Sequence, residues 1–206
     1  MLIYAVRHGE SVANVEQFYS GQSDVPLTEK GKEDALIAKR TLAGISFDKV
    51  YSSDLQRAMN TCKIALPGIE PITTPLLREI DVGNLAGRKW AVCRAEGGDA
   101  FRESLDRSAF KDFGGESRED HTERVGKFLK SLETLDAERV AVFCHNGTLH
   151  RMCTWIGDTD GTEGRLFRNC ETCVFEFLDG VWSFKGTLYE EDKDVQVAGT
   201  ELNEEK

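Results

Sequence analysis

The chain has 206 residues, 40% of them hydrophobic and 30% charged, with a net charge of -10. That suits one globular core and argues against a second full domain. The acidic balance argues against a nucleic-acid partner, and no apolar run approaches the roughly 20 residues needed to cross a bilayer. A first strand beginning at residue 2 leaves no signal-peptide pattern, so the expected location is cytoplasmic. Residues 189–206 carry seven acidic and two basic side chains, half of the net charge, and read as a solvated acidic tail. The composition leaves a homodimer open. The six cysteines do not form a disulfide framework in such a setting. Cys170 and Cys173 open a strand-like segment, where positions three apart face opposite sides, so packing is expected of them.

In chain order, Leu2-Ile-Tyr-Ala-Val6 is a short apolar run that reads as a buried strand. Pro26 and the capping residue Thr28 announce a helix over 28–42, stopped by Gly44. A second strand is expected at 47–51. Ser53-Asp-Leu-Gln56 has the spacing of a capping box and predicts a helix that opens there and stops before Pro67-Gly68. A short strand near 72–75 leads into Leu77-Arg-Glu79. From 84 to 116 periodicity fades into Gly, charge and scattered aromatics, which reads as an inserted lid with Gly97-Gly98 and Gly114-Gly115 as hinges. Ser117-Arg-Glu-Asp120 caps a helix to about 135, with Val125, Phe128, Leu129, Leu132 and Leu135 on one face. Residues 139–144 form another apolar strand, 148–156 a helix, and 174–178 with 181–188 a hairpin about Asp179-Gly180. This alternation predicts an α/β three-layer αβα sandwich. Its sheet is mostly parallel, with a late antiparallel hairpin, in one domain over 1–188.

The strands end on a repeated theme. Arg7-His8, Arg57, Glu79 and His145 each follow a strand or open a helix, and the carboxyl ends of parallel strands share one edge of the sheet. Two arginines, two histidines and a carboxylate suit phosphoryl transfer through a phosphohistidine. A neutral imidazole is a competent nucleophile, and neighbouring guanidiniums depress its pKa while their forks match phosphate oxygens. Glu79 is suited to protonate the leaving alkoxide and then to activate water. Gly9 is expected to give phosphate access to the backbone, and the helix expected at Ser53 to offer N–H donors. His121 is expected to be solvated. His145 and His150 lie five apart, off one helical face, and no metal site or cofactor is called for.

Arg7-His8-Gly9-Glu10-Ser11 resembles the signature of the histidine phosphatase superfamily, the phosphoglycerate-mutase-like proteins. Further matching segments follow in order: Asn14, the stretch from Gly21 through Gln22 to Gly31, Ser52 to Thr61, Leu77-Arg-Glu79 and His145. The resemblance covers roughly 1–185. It implies His8 as the phosphorylated nucleophile, Glu79 as proton donor, and Arg7, Arg57 and His145 around the phosphate. Asn14, Gly21, Gln22 and Asn146 are implied as supplementary contacts. The family usually has His-Gly where this chain reads His145-Asn146-Gly147, and Glu-Gly where it reads Ala86-Gly87; neither change removes a catalytic group.

The reading is a metal-independent phosphomonoester hydrolase acting on a small phosphorylated metabolite. A phosphoglycerate mutase is the nearest alternative, and a phospholigand-binding protein without chemistry the remote one. Family mutases are typically longer between the proton donor and the second histidine, and Phe113-Gly-Gly-Glu-Ser117 resembles the phosphatase branch. Arg88, Lys89, Arg94 and Arg102 are either solvated or a grip for a second anionic group.

Overall fold

The computed structural model describes residues 1–158 and 165–190; the acidic tail, from 191 on, lies outside the described residues. In chain order its elements are β1 (Leu2–Arg7), α1 (Val12–Glu16), α2 (Glu29–Thr41), β2 (Lys49–Ser53), α3 (Gln56–Ala65) and β3 (Ile72–Thr74). There follow α4 (Trp90–Ser108), α5 (Arg118–Leu132), β4 (Arg139–Cys144), α6 (Asn146–Ile156), β5 (Thr172–Leu178) and β6 (Val181–Leu188). The strands form one sheet in the order β3-β2-β4-β1-β5-β6. The first four of these are mutually parallel, and β5 and β6 run antiparallel. The αβα sandwich expected from the sequence is the fold observed.

Strand alternation divides the core into two layers. Ile3, Ala5, Val142, Cys144 and Cys173 face one way, against Val125, Phe128 and Leu129 of α5 and Leu149 and Met152 of α6. Val6, Ala141 and Phe143 face the other way, against Ala35 and Ala38 of α2 and Cys62 and Ala65 of α3. Cys170 belongs to that second layer and Cys173 to the first, so the pair sits on opposite faces as packing residues. Near-total burial of both faces is what turns β1 and β4 into continuous apolar runs. Each fully buried side chain there contributes on the order of 1.5–3 kcal/mol.

Several boundaries differ from expectation, for identifiable reasons. β2 covers Lys49–Ser53 instead of 47–51, because Phe47 leaves the ladder to stack edge-on against Tyr4, centroids 5.5 Å apart. α3 starts at Gln56, not Ser53: the Ser53 hydroxyl is engaged by His145, and the Gln56 N–H goes to Asp24 Oδ1 at 2.7 Å. α6 starts at Asn146, two residues before Thr148, whose hydroxyl is drawn off to the Arg78 carbonyl at 3.0 Å. α5 stops at Leu132 with Leu135 only partly buried, while its capping box forms as expected. Thr28 caps α2 by accepting from the Gly31 N–H at 3.0 Å, and Asp179 and Gly180 both take positive φ in the hairpin turn.

The largest departure is in 84–116. Instead of irregular chain it carries α4, broken at Gly98 (φ 53°, ψ -138°). Only Cys93 and Phe101 of α4 are buried, one on each side of the break, so no 3.6-residue stripe survives to be read. With Val82 and Leu85 they form a separate small cluster ringed by Tyr19, Ile80, Leu105, Phe110 and Phe113. Gly114, read as part of a hinge, is a left-handed cap after a short 3-10 turn. No helix among the described residues is long and apolar enough to cross a membrane.

Candidate active site

The carboxyl ends of β1, β2 and β4 bring the sequence candidates together. A cavity of about 260 Å³ is lined by Arg7, His8, Ser11, Asn14, Gly21, Arg57, Glu79 and Asn146, with Phe18, Tyr19, Trp90 and Phe110 at its apolar side. His145 stands immediately behind, its ring 5.2 Å from that of His8 in an edge-to-face arrangement.

His8 is held by its surroundings at three points. Its N–H donates to the Cys144 carbonyl at 3.0 Å, its carbonyl accepts from Asn169 Nδ2 at 2.9 Å, and Nδ1 lies 2.7 Å from the Gly9 carbonyl. A carbonyl only accepts, so Nδ1 carries the proton and the lone pair of neutral His8 is on Nε2. Burial, then the charges of Arg57 and Arg7, pushes the imidazole pKa well below its ordinary 6.5. The ring is therefore neutral at pH 7.

Both arginines are fixed by backbone carbonyls. Arg57 is 1% exposed and donates to Ser23 O at 2.9 Å and Gly21 O at 2.8 Å. Burial lowers its pKa to about 10, so it stays cationic. Arg7 donates through Nη1 to the Phe167 carbonyl, and its buried Nε has no partner. His145 places Nε2 2.9 Å from Ser53 Oγ and leaves Nδ1 buried without one. Its pKa too lies well below 6.5, by burial and then by Arg57 and His8. Two buried, unpartnered nitrogens beside the nucleophile match what a bound oxyanion requires.

Glu79 is aimed from the opposite side. Oε1 accepts from the Ile80 N–H and Oε2 from the Gly147 N–H, each at 2.9 Å. A Cβ on residue 147 would stand 2.1 Å from Oε1, so glycine is needed there for contact. In the His145-Asn146-Gly147 sequence it is thus Gly147 that offers a backbone N–H to Glu79, while Asn146 Oδ1 accepts from the Phe167 N–H at 3.1 Å.

Other residues settle elsewhere. Asn14 Oδ1 accepts from the N–H and the hydroxyl of Ser11, both 2.9 Å, leaving its amide to donate. Gln22 does not line the cavity; its Oε1 is 3.3 Å from Arg78 Nη1. The role expected of Gly9 is corrected: a Cβ there would meet the Gly31 carbonyl at 2.1 Å, so its smallness serves backbone packing against α2. The α3 N-terminus is likewise occupied by Asp24. Arg88 pairs with Glu96 and Arg102 with Asp99, and all four cations of that group are exposed and none lines the cavity. His121 is not solvated but 1% exposed, on the α5 face turned inward, with Nε2 unpartnered. Burial lowers its pKa to about 4, against the raising influence of Glu79. Among the described residues no three His, Cys, Asp or Glu side chains converge as a metal set.

Two supporting residues escaped the sequence reading. Ser53, taken for a cap, is the partner of His145. Arg124 spans the segment before Glu79: it donates to the carbonyls of Leu76 and Arg78 (2.9 Å each) and Glu79 (3.1 Å), while Glu116 grips its other edge at 2.8 Å. No motif marks Arg124, because its role arises from a chain segment some 45 residues away.

A strand-end cluster of this kind on an αβα sheet defines a class of phosphoryl-handling α/β proteins. The sequence model of the histidine phosphatase superfamily (branch 1) matches residues 3–188, and the chain belongs to that family. It is 34% identical over 185 residues to the 2,3-bisphosphoglycerate-dependent phosphoglycerate mutase of Azorhizobium caulinodans, covering 83% of this chain and 88% of the relative. The crystal structure of the alpha-ribazole phosphatase from Shigella flexneri superposes with a TM-score of 0.79 at 25% identity, covering 90% and 95% of the two chains. A mycobacterial glucosyl-3-phosphoglycerate phosphatase superposes at 0.80 with 22% identity, over 90% and 97%.

Proposed function

We propose that the protein is a metal-independent phosphomonoester hydrolase that works through a phosphohistidine on His8. The observation that carries this is the tautomer: Gly9 fixes the Nδ1 proton, leaving the Nε2 lone pair free beside Arg7 and Arg57. His8 Nε2 attacks phosphorus, forming the N–P bond as the bond to the leaving oxygen breaks. Glu79, in its acid form, gives its proton to that oxygen. The ring is then cationic, and its Nδ1–H to the Gly9 carbonyl becomes a charge-assisted bond. In the second half Glu79, now a carboxylate, takes a proton from water as the water oxygen attacks phosphorus. The N–P electrons return to His8, phosphate leaves, and Glu79 is an acid again. Arg7, Arg57, His145 and Asn14 are the donors for the phosphoryl oxygens, where preorganised charge contributes most.

The second reading, a phosphoglycerate mutase, is supported by the names of relatives such as that of A. caulinodans. The hydrolase is favoured by the roof over the site, a single helix broken at Gly98 with an aromatic wall, which is little material for excluding water. Hydrolysis of p-nitrophenyl phosphate in EDTA, with His8→Ala as control, tests the proposal. We expect turnover that survives EDTA and is lost in the variant. Interconversion of 2- and 3-phosphoglycerate with negligible phosphate release establishes the mutase instead.

A further inference from the structure

A second cavity, of about 220 Å³, adjoins the first and shares Ile80 and Phe110 with it. Its polar lining is Arg118, His121, His150 and Arg151; no carboxylate lines it. Neither Arg118 nor Arg151 has a carboxylate within 4 Å among the described residues, and Arg118 donates only to the Asp106 carbonyl, at 2.8 Å. Two half-buried guanidiniums thus face one space with no carboxylate in contact, Glu119 and Glu79 acting on Arg151 only from longer range, an arrangement suited to an entering anion. His121, 1% exposed with Nε2 unpartnered, adds a buried polar atom on the same wall. The remaining wall is Gly147, whose N–H holds Glu79, together with apolar Leu105 and Ala109.

The position of this cavity relative to Glu79 gives it meaning. Glu79 serves the oxygen that leaves, so the body of the substrate begins on its side of the phosphate. The second cavity lies on that side, separated from Glu79 by Gly147. Resting on the hydrolase reading, we propose that this cavity is a subsite for a second anionic group, carboxylate or phosphate, on the leaving portion of the substrate. The favoured substrates are then phosphomonoesters of small molecules that carry another anion, held by Arg118 and Arg151 with the His121 imidazole as a further hydrogen-bonding group.

Matched substrates test this. 3-Phosphoglycerate and glycerol 3-phosphate differ by a carboxylate, and fructose 1,6-bisphosphate and fructose 6-phosphate by a phosphate. Wild-type kcat/KM should favour the doubly anionic member of at least one pair by about 10-fold or more, and which pair responds identifies the anion. In the Arg118→Gln/Arg151→Gln double variant the ratio of that kcat/KM to the one for p-nitrophenyl phosphate should fall about 30-fold. A parallel loss on both substrates, or none on either, overturns the proposal. A readout independent of turnover uses the His8→Ala chain. The His121 ring resonance, identified by its loss in His121→Gln, should move on titration with the anion-bearing member of a pair and not with its partner. If both or neither move it, the subsite does not exist. If wild-type protein hydrolyses nothing, the hydrolase reading fails and this titration still decides the cavity.

Discussion

The floor of the site and the segment above it are built on opposite principles. On the floor, His8 after β1, Arg7 at its end and Arg57 on α3 are fastened by main-chain carbonyls, and Glu79 by main-chain N–H groups. Above it, main-chain bonds fasten only the two ends of 84–116, Trp90 N–H to Gln17 O and Glu116 N–H to Asp81 O at 2.9 Å each, and between them it is held by a satellite aromatic cluster and by exposed ion pairs such as Arg88–Glu96, which contribute little to stability. Rigid geometry is what bond-making steps require, whereas a locally packed roof can vary with the substrate it covers. The difference teaches that mechanism and specificity in this chain rest on separate sets of contacts.

Substitutions can break or sharpen that contrast. On the floor, His8→Ala should lower p-nitrophenyl phosphate turnover by about 10⁴-fold or more without loss of helical circular dichroism. Retained activity would remove His8 from the reaction. Glu79→Gln should reduce steady-state kcat by about 10²–10⁴-fold, with a phosphoenzyme trapped by acid quench whenever an activated leaving group is supplied. Gly147→Ala forces Glu79 off its perch and should cost about 10- to 100-fold in kcat, with KM nearly unchanged, since displacements near 1 Å have that effect. Trp90→Ala, in the roof, should change kcat/KM by only about 2- to 10-fold and mainly through KM, a weaker effect than any on the floor. An equal loss of kcat there would collapse the distinction.

The histidines give the contrast a pH signature. All four histidines, His8, His145, His121 and His150, have folded pKa values depressed below 6.5 by burial, that of His121 to about 4. As pH falls through 6.5 the unfolded chain takes up protons that the folded one refuses. Stability is therefore fully present above 6.5 and erodes below it, by about 1.4 kcal/mol per pH unit for each such histidine until its folded pKa is reached. Urea midpoints recorded from pH 7 down to 4.5 should fall accordingly. His121→Gln should remove roughly a quarter to a third of the slope in that window, by the same linkage.

How much of this was legible depended on how local the cause was. β1, β4, the Thr28 cap and the 117–120 capping box announce themselves through residues within a few positions of each other. His8, Arg7, Arg57 and Glu79 were readable because strand ends converge on one edge of such a sheet. Ser53 misled because its hydroxyl is shared between His145, 92 positions away, and the Leu55 N–H just ahead of α3, and reaches no N–H inside the helix. His121 misled because its neighbours in sequence are charged, whereas the ring is buried on the inward face of α5 within reach of the field of Glu79, 42 positions away, which no spacing rule reveals. α4 was invisible because Gly98 splits its apolar stripe.

The pairing of β1 has a consequence for biosynthesis. Its residues register with β4 on one edge, Leu2 opposite Arg139, and with β5 on the other, Val6 opposite Thr172. Of the six strands β1 is synthesised before the others, yet it is among the last to be enclosed, and a nascent chain ending before residue 172 leaves its second edge an apolar ribbon with unpaired hydrogen-bonding groups. A chain that ends before Phe167 and Asn169 lacks the groups that fasten Arg7 and His8, so an assembled nucleophile arrives only late in synthesis.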